Sequence, residues 1–193
     1  MWVLDSDGWI DGVLQIPSPN FDARPEGAGI DLVVVHAISL PPGQFGGAGV
    51  PALFANALDP ELHSYFRDIA SLRVSAHVLV RRTGRVVQFV PFRRRAWHAG
   101  VSNWRGRERC NDFSVGIELE GTEDHDFDPR QYAALDALVA TLRSAYGVGA
   151  IAGHSDIAPN RKWDPGPRFD WMLLSSCDGM QGFEEKKSTN LLA

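Results

Sequence analysis

The segment Ile30-Asp31-Leu32-Val33-Val34-Val35 places four consecutive aliphatic residues ahead of His36. A strand with one wet face alternates apolar and polar side chains. An unbroken aliphatic run lacks that alternation and predicts a strand covered on both faces. Such a strand needs a layer above it and a layer below, and the rest of the chain supplies candidates for both. Asp128 as N-cap, Pro129 at the first helical position, Gln131 closing a capping box and Gly147 as stop define the best helix. Its Tyr132, Leu135, Leu138, Val139 and Leu142 recur at helical spacing and read as core. Residues 113–119 alternate, with Val115, Ile117 and Leu119 on one face and Glu118 on the other. Residues 74–80 and 86–90 flank the turn at Thr83-Gly84 and predict a hairpin, and 150–152 predict a short strand. Short helices are expected over 52–58 and 61–69, with Asp59-Pro60 as cap and first position of the second. The resulting expectation is a single α/β domain, a mixed central β-sheet flanked by helices, over residues 30–171. An irregular lead-in (1–29) precedes it and a polar, mobile tail (172–193) follows.

Charge and cysteine content narrow the function. A formal net charge of −5 over 193 residues argues against a nucleic-acid partner. Arginines cluster at 81–82, 93–95 and 105–109, a pattern suited to small anionic substrates. Cys110 and Cys177 form neither a disulfide framework nor a paired metal motif. The first residues carry no basic start and no apolar core, and the longest aliphatic run is far too short to span a bilayer. These features lead to the expectation of a cytoplasmic, monomeric protein without a membrane partner.

The chemistry concentrates in 153–167, a glycine- and proline-stiffened stretch holding His154, Lys162 and Asp164. His36 and His154 each stand beyond the end of an expected buried strand, where side chains distant in sequence converge. With Asp164 they make a His₂-carboxylate set of the kind hydrolytic zinc uses, leaving a fourth position for water. Glu118 is available to point into a cleft as a base, and Lys162 lies close to Asp164 in sequence. His63 and His125 read as surface residues and His98 as a cleft-wall residue. His77 and His98 remain able to close the metal in space, and Cys110 lacks the local signature of a nucleophile.

Several stretches together resemble the AmpD group of N-acetylmuramoyl-L-alanine amidases, within the wider amidase and peptidoglycan-recognition fold. They are Leu32-Val33-Val34-Val35-His36, Leu72-Arg73-Val74-Ser75-Ala76-His77, Arg95-Ala96-Trp97-His98-Ala99-Gly100, Gly106-Arg107-Glu108-Arg109-Cys110-Asn111-Asp112, Gly116-Ile117-Glu118-Leu119-Glu120 and 153–167. The resemblance implies one zinc per chain on His36, His154 and Asp164. It implies Glu118 as catalytic carboxylate and Lys162 as transition-state stabiliser, with Arg73, Trp97 and Arg109 lining the substrate cleft. The implied substrate is an anhydro-muropeptide, cut between the lactyl group and L-alanine during cytoplasmic cell-wall recycling. One position departs. The family commonly has asparagine after the first zinc histidine, and Ala37 cannot supply that hydrogen bond. A binding module of the same fold is disfavoured because the whole ligand set is present, and an exported wall hydrolase would need a signal sequence.

Overall fold

The computed structural model describes residues 1–190. The strands are β1 (Leu14–Gln15), β2 (Phe21–Ala23), β3 (Leu32–Ile38), β4 (Val78–Val80), β5 (Val86–Gln88), β6 (Arg94–Ala96), β7 (Asn103–Trp104), β8 (Arg107–Glu108), β9 (Ser114–Glu120) and β10 (Ala150–Gly153). The helices are α1 (Gly49–Phe54), α2 (Ser64–Ile69), α3 (Pro129–Tyr146), α4 (His154–Ile157) and α5 (Phe183–Asn190). Six strands form one mixed sheet in the order β1-β5-β4-β9-β3-β10, with β4 and β5 antiparallel and the other neighbours parallel.

Strand alternation gives this sheet two different faces. Val33 and Val35 of β3, Val115, Ile117 and Leu119 of β9, and Ile151 of β10 pack with Leu135, Leu138, Val139 and Leu142 of α3 in the largest apolar cluster. The intervening residues, Leu32 and Val34 of β3 and Ala150 and Ala152 of β10, pack with Ala99, Cys110 and Phe113 on the opposite side. That second face is the one that carries His36 and Glu118. The continuous aliphatic run is thus buried on both sides, as its lack of alternation predicts. Helix α3 has the expected ends: Asp128 accepts from the Arg130 N–H, Gln131 accepts from the Asp128 N–H, and Gly147 closes the helix at φ 74°.

Four expectations need correction. His36 lies inside β3, which continues to Ile38 because parallel pairing with β9 runs on through Ile38↔Glu120. Asp59-Pro60 does not begin a helix: Asp59 caps a local turn through the Glu61 N–H, and α2 starts after His63, whose Nδ1 accepts from Tyr65. The first short helix begins and ends earlier than 52–58, at Gly49–Phe54.

The flanks are the fourth. Within 1–29, Ile10 is fully buried, its N–H donates to Gln88, and β1 and β2 pair with β5 and β6. Within 172–193, Leu174, Cys177, Met180 and Phe183 are buried in the main cluster. They recur at every third position, an apolar rhythm masked by the charged residues between them. Gln181 also bonds Ile151 and Gly149, covering the free edge of β10. The last three residues of that segment lie outside the described residues. Phe183→Ala should therefore cost about 3–5 kcal/mol of stability, as deletion of a core aromatic does, measured by denaturant unfolding. A loss within about 0.5 kcal/mol would mean the segment contributes no core.

Candidate metal centre

Parallel register sets His36 of β3 directly beside Glu118 of β9. The pair shares the face opposite α3. His154 opens α4 immediately after β10, the other neighbour of β3. Asp156 fixes that short helix by accepting from the Gly153 N–H at 2.6 Å, and Lys186 of α5 reaches the same carboxylate at 2.9 Å. Asp164 returns to this point because its carbonyl accepts from the Ser155 N–H. The loop 158–164 is thereby closed onto the helix that carries His154.

Three candidate ligand atoms meet as a result. His36 Nδ1 lies 2.9 Å from His154 Nδ1, and both lie 3.1 Å from Asp164 Oδ2. All three residues are buried. The Nε2 of His154 faces the carbonyl oxygen of Ala99 at 3.2 Å, which can only accept. That nitrogen therefore donates, which leaves His154 Nδ1 facing the carboxylate as a candidate ligand atom. Zinc, bonded at ~2.0–2.1 Å to imidazole nitrogen and carboxylate oxygen, suits this donor set and this spacing.

Glu118 stands alongside as a second unsatisfied group. It is 9% exposed, and its Oε2 is buried without a hydrogen-bond partner. Burial and the nearby Asp164 carboxylate raise its pKa well above the ordinary range, against the opposing charge of Lys162. Three imidazoles, His36 of the site with His77 and His98 behind it, are held neutral. Burial lowers His36 to about 4 and, with Arg24, lowers His77 to about 3. Burial and neighbouring His36 hold His98 well below its usual value.

His36, His98, Glu118, His154 and Asp164 line one cleft of about 660 Å³. Trp97, Lys162 and Trp163 form part of its wall together with Glu118 and the two histidines. Arg73 is turned away: it is exposed, and its guanidinium donates to the carbonyls of Ala70, Ser71 and Leu72. Arg109 lines an adjoining depression and pairs with Asp112 at 3.2 Å. Arg161, absent from the expected site, borders both hollows and donates to the carbonyls of Ala99 and Val101. Ala37 sits at the cleft rim with its methyl partly packed on the α3 side. His77 gives its Nδ1 to the Gly116 N–H, and His98 contacts the far nitrogen of His36. Neither imidazole closes the metal triangle. Cys110 and Cys177 are both buried free thiols with pKa values raised by burial, the latter to about 12, which is the opposite of nucleophile activation. No helix among the described residues is long and apolar enough to cross a membrane.

Comparison with known proteins agrees with this geometry. The profile of the N-acetylmuramoyl-L-alanine amidase family matches residues 26–167. The 1,6-anhydro-N-acetylmuramyl-L-alanine amidase AmpD of Salmonella typhimurium is 54% identical over 185 residues, covering 95% of this chain and 99% of that one. The protein of the same name from Escherichia coli K12 is also 54% identical, covering 88% and 93%. The crystal structure of an Se-Met AmpD derivative superposes with a TM-score of 0.88 at 52% identity, covering 91% of this chain and 98% of that one. AmiD of E. coli, solved with the substrate anhydro-N-acetylmuramic acid-L-Ala-D-gamma-Glu-L-Lys, gives a TM-score of 0.56 at 29% identity, covering 90% and 65%.

The pKa shifts have opposite consequences for stability. Imidazoles depressed in the fold contribute stability that is present above 6.5 and lost as pH falls toward the folded values of about 4 and about 3. The unfolding midpoint of metal-free protein should therefore drop between pH 6.5 and 4.5, before ordinary carboxylates titrate; a flat midpoint there would contradict neutral burial. Glu118 behaves the other way. Its contribution is full below 4.5 and lost as pH rises through its raised folded value. Glu118→Gln should thus raise the melting temperature of metal-free protein at mildly alkaline pH, and a lowered one would contradict the shift.

Proposed function

The chain belongs to the N-acetylmuramoyl-L-alanine amidase family, and from that membership we propose a zinc-dependent hydrolase of anhydro-muropeptides acting in cytoplasmic cell-wall recycling. The bond cut is the amide between the lactyl group of the anhydro-sugar and L-alanine. The observation that carries this reading is the buried Nδ1–Nδ1–Oδ2 triangle at the cleft floor, with an unsatisfied carboxylate beside it. One zinc per chain is held by His36, His154 and Asp164. Bound there, zinc supplies Lewis acidity that brings the pKa of a water toward ~7 and polarises a carbonyl.

The chain's own residues do the rest. Glu118 takes a proton as water adds to the lactyl carbonyl, and its raised pKa suits it to return that proton to the departing amine. Lys162, on the cleft wall, faces the oxyanion that develops as the carbonyl becomes tetrahedral. Trp97 offers an apolar plane to the substrate, and Arg109 offers a guanidinium to a stem-peptide carboxylate. The methyl of Ala37 leaves substrate hold at that rim to these groups.

Mass spectrometry of an anhydro-muramyl tripeptide incubated with the protein tests this directly. Free tripeptide should appear with zinc present and vanish on chelation. Glu118→Gln should cut turnover by roughly 10²–10⁴-fold with zinc still bound. Parental turnover in that variant would remove Glu118 from its role, and tight binding without hydrolysis would make the protein a recognition module.

A further inference from the structure

A metal-binding imidazole works only if its proton sits on the far nitrogen. For His154 the Ala99 carbonyl enforces this. For His36 the far nitrogen meets another histidine, which can donate or accept. His36 Nε2 lies 2.9 Å from His98 Nδ1, and His98 Nε2 lies 3.2 Å from Ser114 Oγ. The end of that chain resolves it. The Ser114 hydroxyl lies 2.5 Å from the Cys110 carbonyl oxygen, which can only accept, so the hydroxyl hydrogen is spent there. Ser114 Oγ must then accept from His98 Nε2–H. A neutral His98 with its proton on Nε2 has a bare Nδ1, which accepts from His36 Nε2–H. His36 Nδ1 is left bare, facing the other two ligands.

The surroundings are shaped to hold His98 in place. A Cβ on Gly116 would lie 2.4 Å from His98 Cγ, so the imidazole rests directly on the backbone of β9, and only glycine permits that approach. The Asn111 side chain accepts from the N–H groups of His98 and Ala99. One clamped loop thereby presents the His98 ring to His36 and the Ala99 carbonyl to His154.

We propose that His98 is a positioning residue of the metal centre, and that the relay from the Cys110 carbonyl through Ser114 and His98 fixes the His36 proton on Nε2 and keeps its Nδ1 lone pair directed at the metal. The proposal rests on the metal reading above. It also has a definite rival: Asp164 Oδ2, 3.1 Å from His36 Nδ1, competes for a proton on that nitrogen.

Two measurements decide it. The first is the tautomer of His36 by ¹⁵N NMR in zinc-free, histidine-labelled parent protein. Protonation on Nε2 is expected, and protonation on Nδ1 overturns the proposal. The second is zinc affinity, by competition with a chromogenic chelator, for the parent and three variants. His98→Phe and His98→Gln place no acceptor at the Nδ1 position and should weaken zinc roughly 10–100-fold. His98→Asn keeps an acceptor there and should stay close to the parent, a rescue that a space-filling role would not give. Equal affinity in all four proteins, or no rescue by Asn, overturns the proposal. Failure of the parent itself to bind zinc would instead sink the metal reading, and the tautomer measurement still decides the relay.

Discussion

The parallel ladder between β3 and β9 is the interaction on which the rest of the molecule hangs. It pairs seven residues on each strand, from Leu32↔Ser114 to Ile38↔Glu120. Slipping it by one residue would send every side chain to the opposite face. Register is held because Val33 and Val35 with Val115, Ile117 and Leu119 must all meet α3. That apolar requirement on one face dictates what stands together on the other, namely His36 next to Glu118. The pairing of His36 with Glu118 is therefore specified by hydrophobic burial on the reverse side of the sheet.

The site face is built against local stability. It collects two imidazole nitrogens and a carboxylate oxygen within about 3 Å of one another, and Glu118 Oε2 is buried with no partner among the described residues. Imidazoles meet there edge to face, His36 against His98 and His98 against His77. The His36, His154 and Asp164 group has the make-up and closeness to hold one metal ion. Such a face persists because the surrounding layers over-determine it, with apolar clusters on both sides of the sheet and a clamped loop above.

The two flanks of the chain reinforce this from below. Gln181 covers the free edge of β10, and Lys186 crosses from α5 to Asp156, which caps the turn bearing His154. At the opposite edge, Gln88 binds the start of the chain through the Ile10 N–H and the Gly8 carbonyl. The β10 edge of the sheet is covered, and the turn bearing His154 is tied to the final helix.

What the residues determined alone was local and periodic. The aliphatic run of β3, the alternation of β9 and the capped stripe of α3 were legible because burial period and cap chemistry depend on neighbours a few residues away. His36, His154 and Asp164 were nameable as candidate ligands because only a few residue types bind zinc and long motifs carried the resemblance. Tertiary structure decided everything that depends on distant neighbours. The extension of β3 through His36 required β9, and the burial of Leu174 and Phe183 required the underside of the sheet. The fold of Arg73 onto its own loop required that loop's geometry. The place of His98 behind His36 required Gly116 on another strand to leave room for an imidazole. Side-chain type and spacing are properties of the chain, whereas register, burial and the direction of a proton are properties of what the chain is packed against.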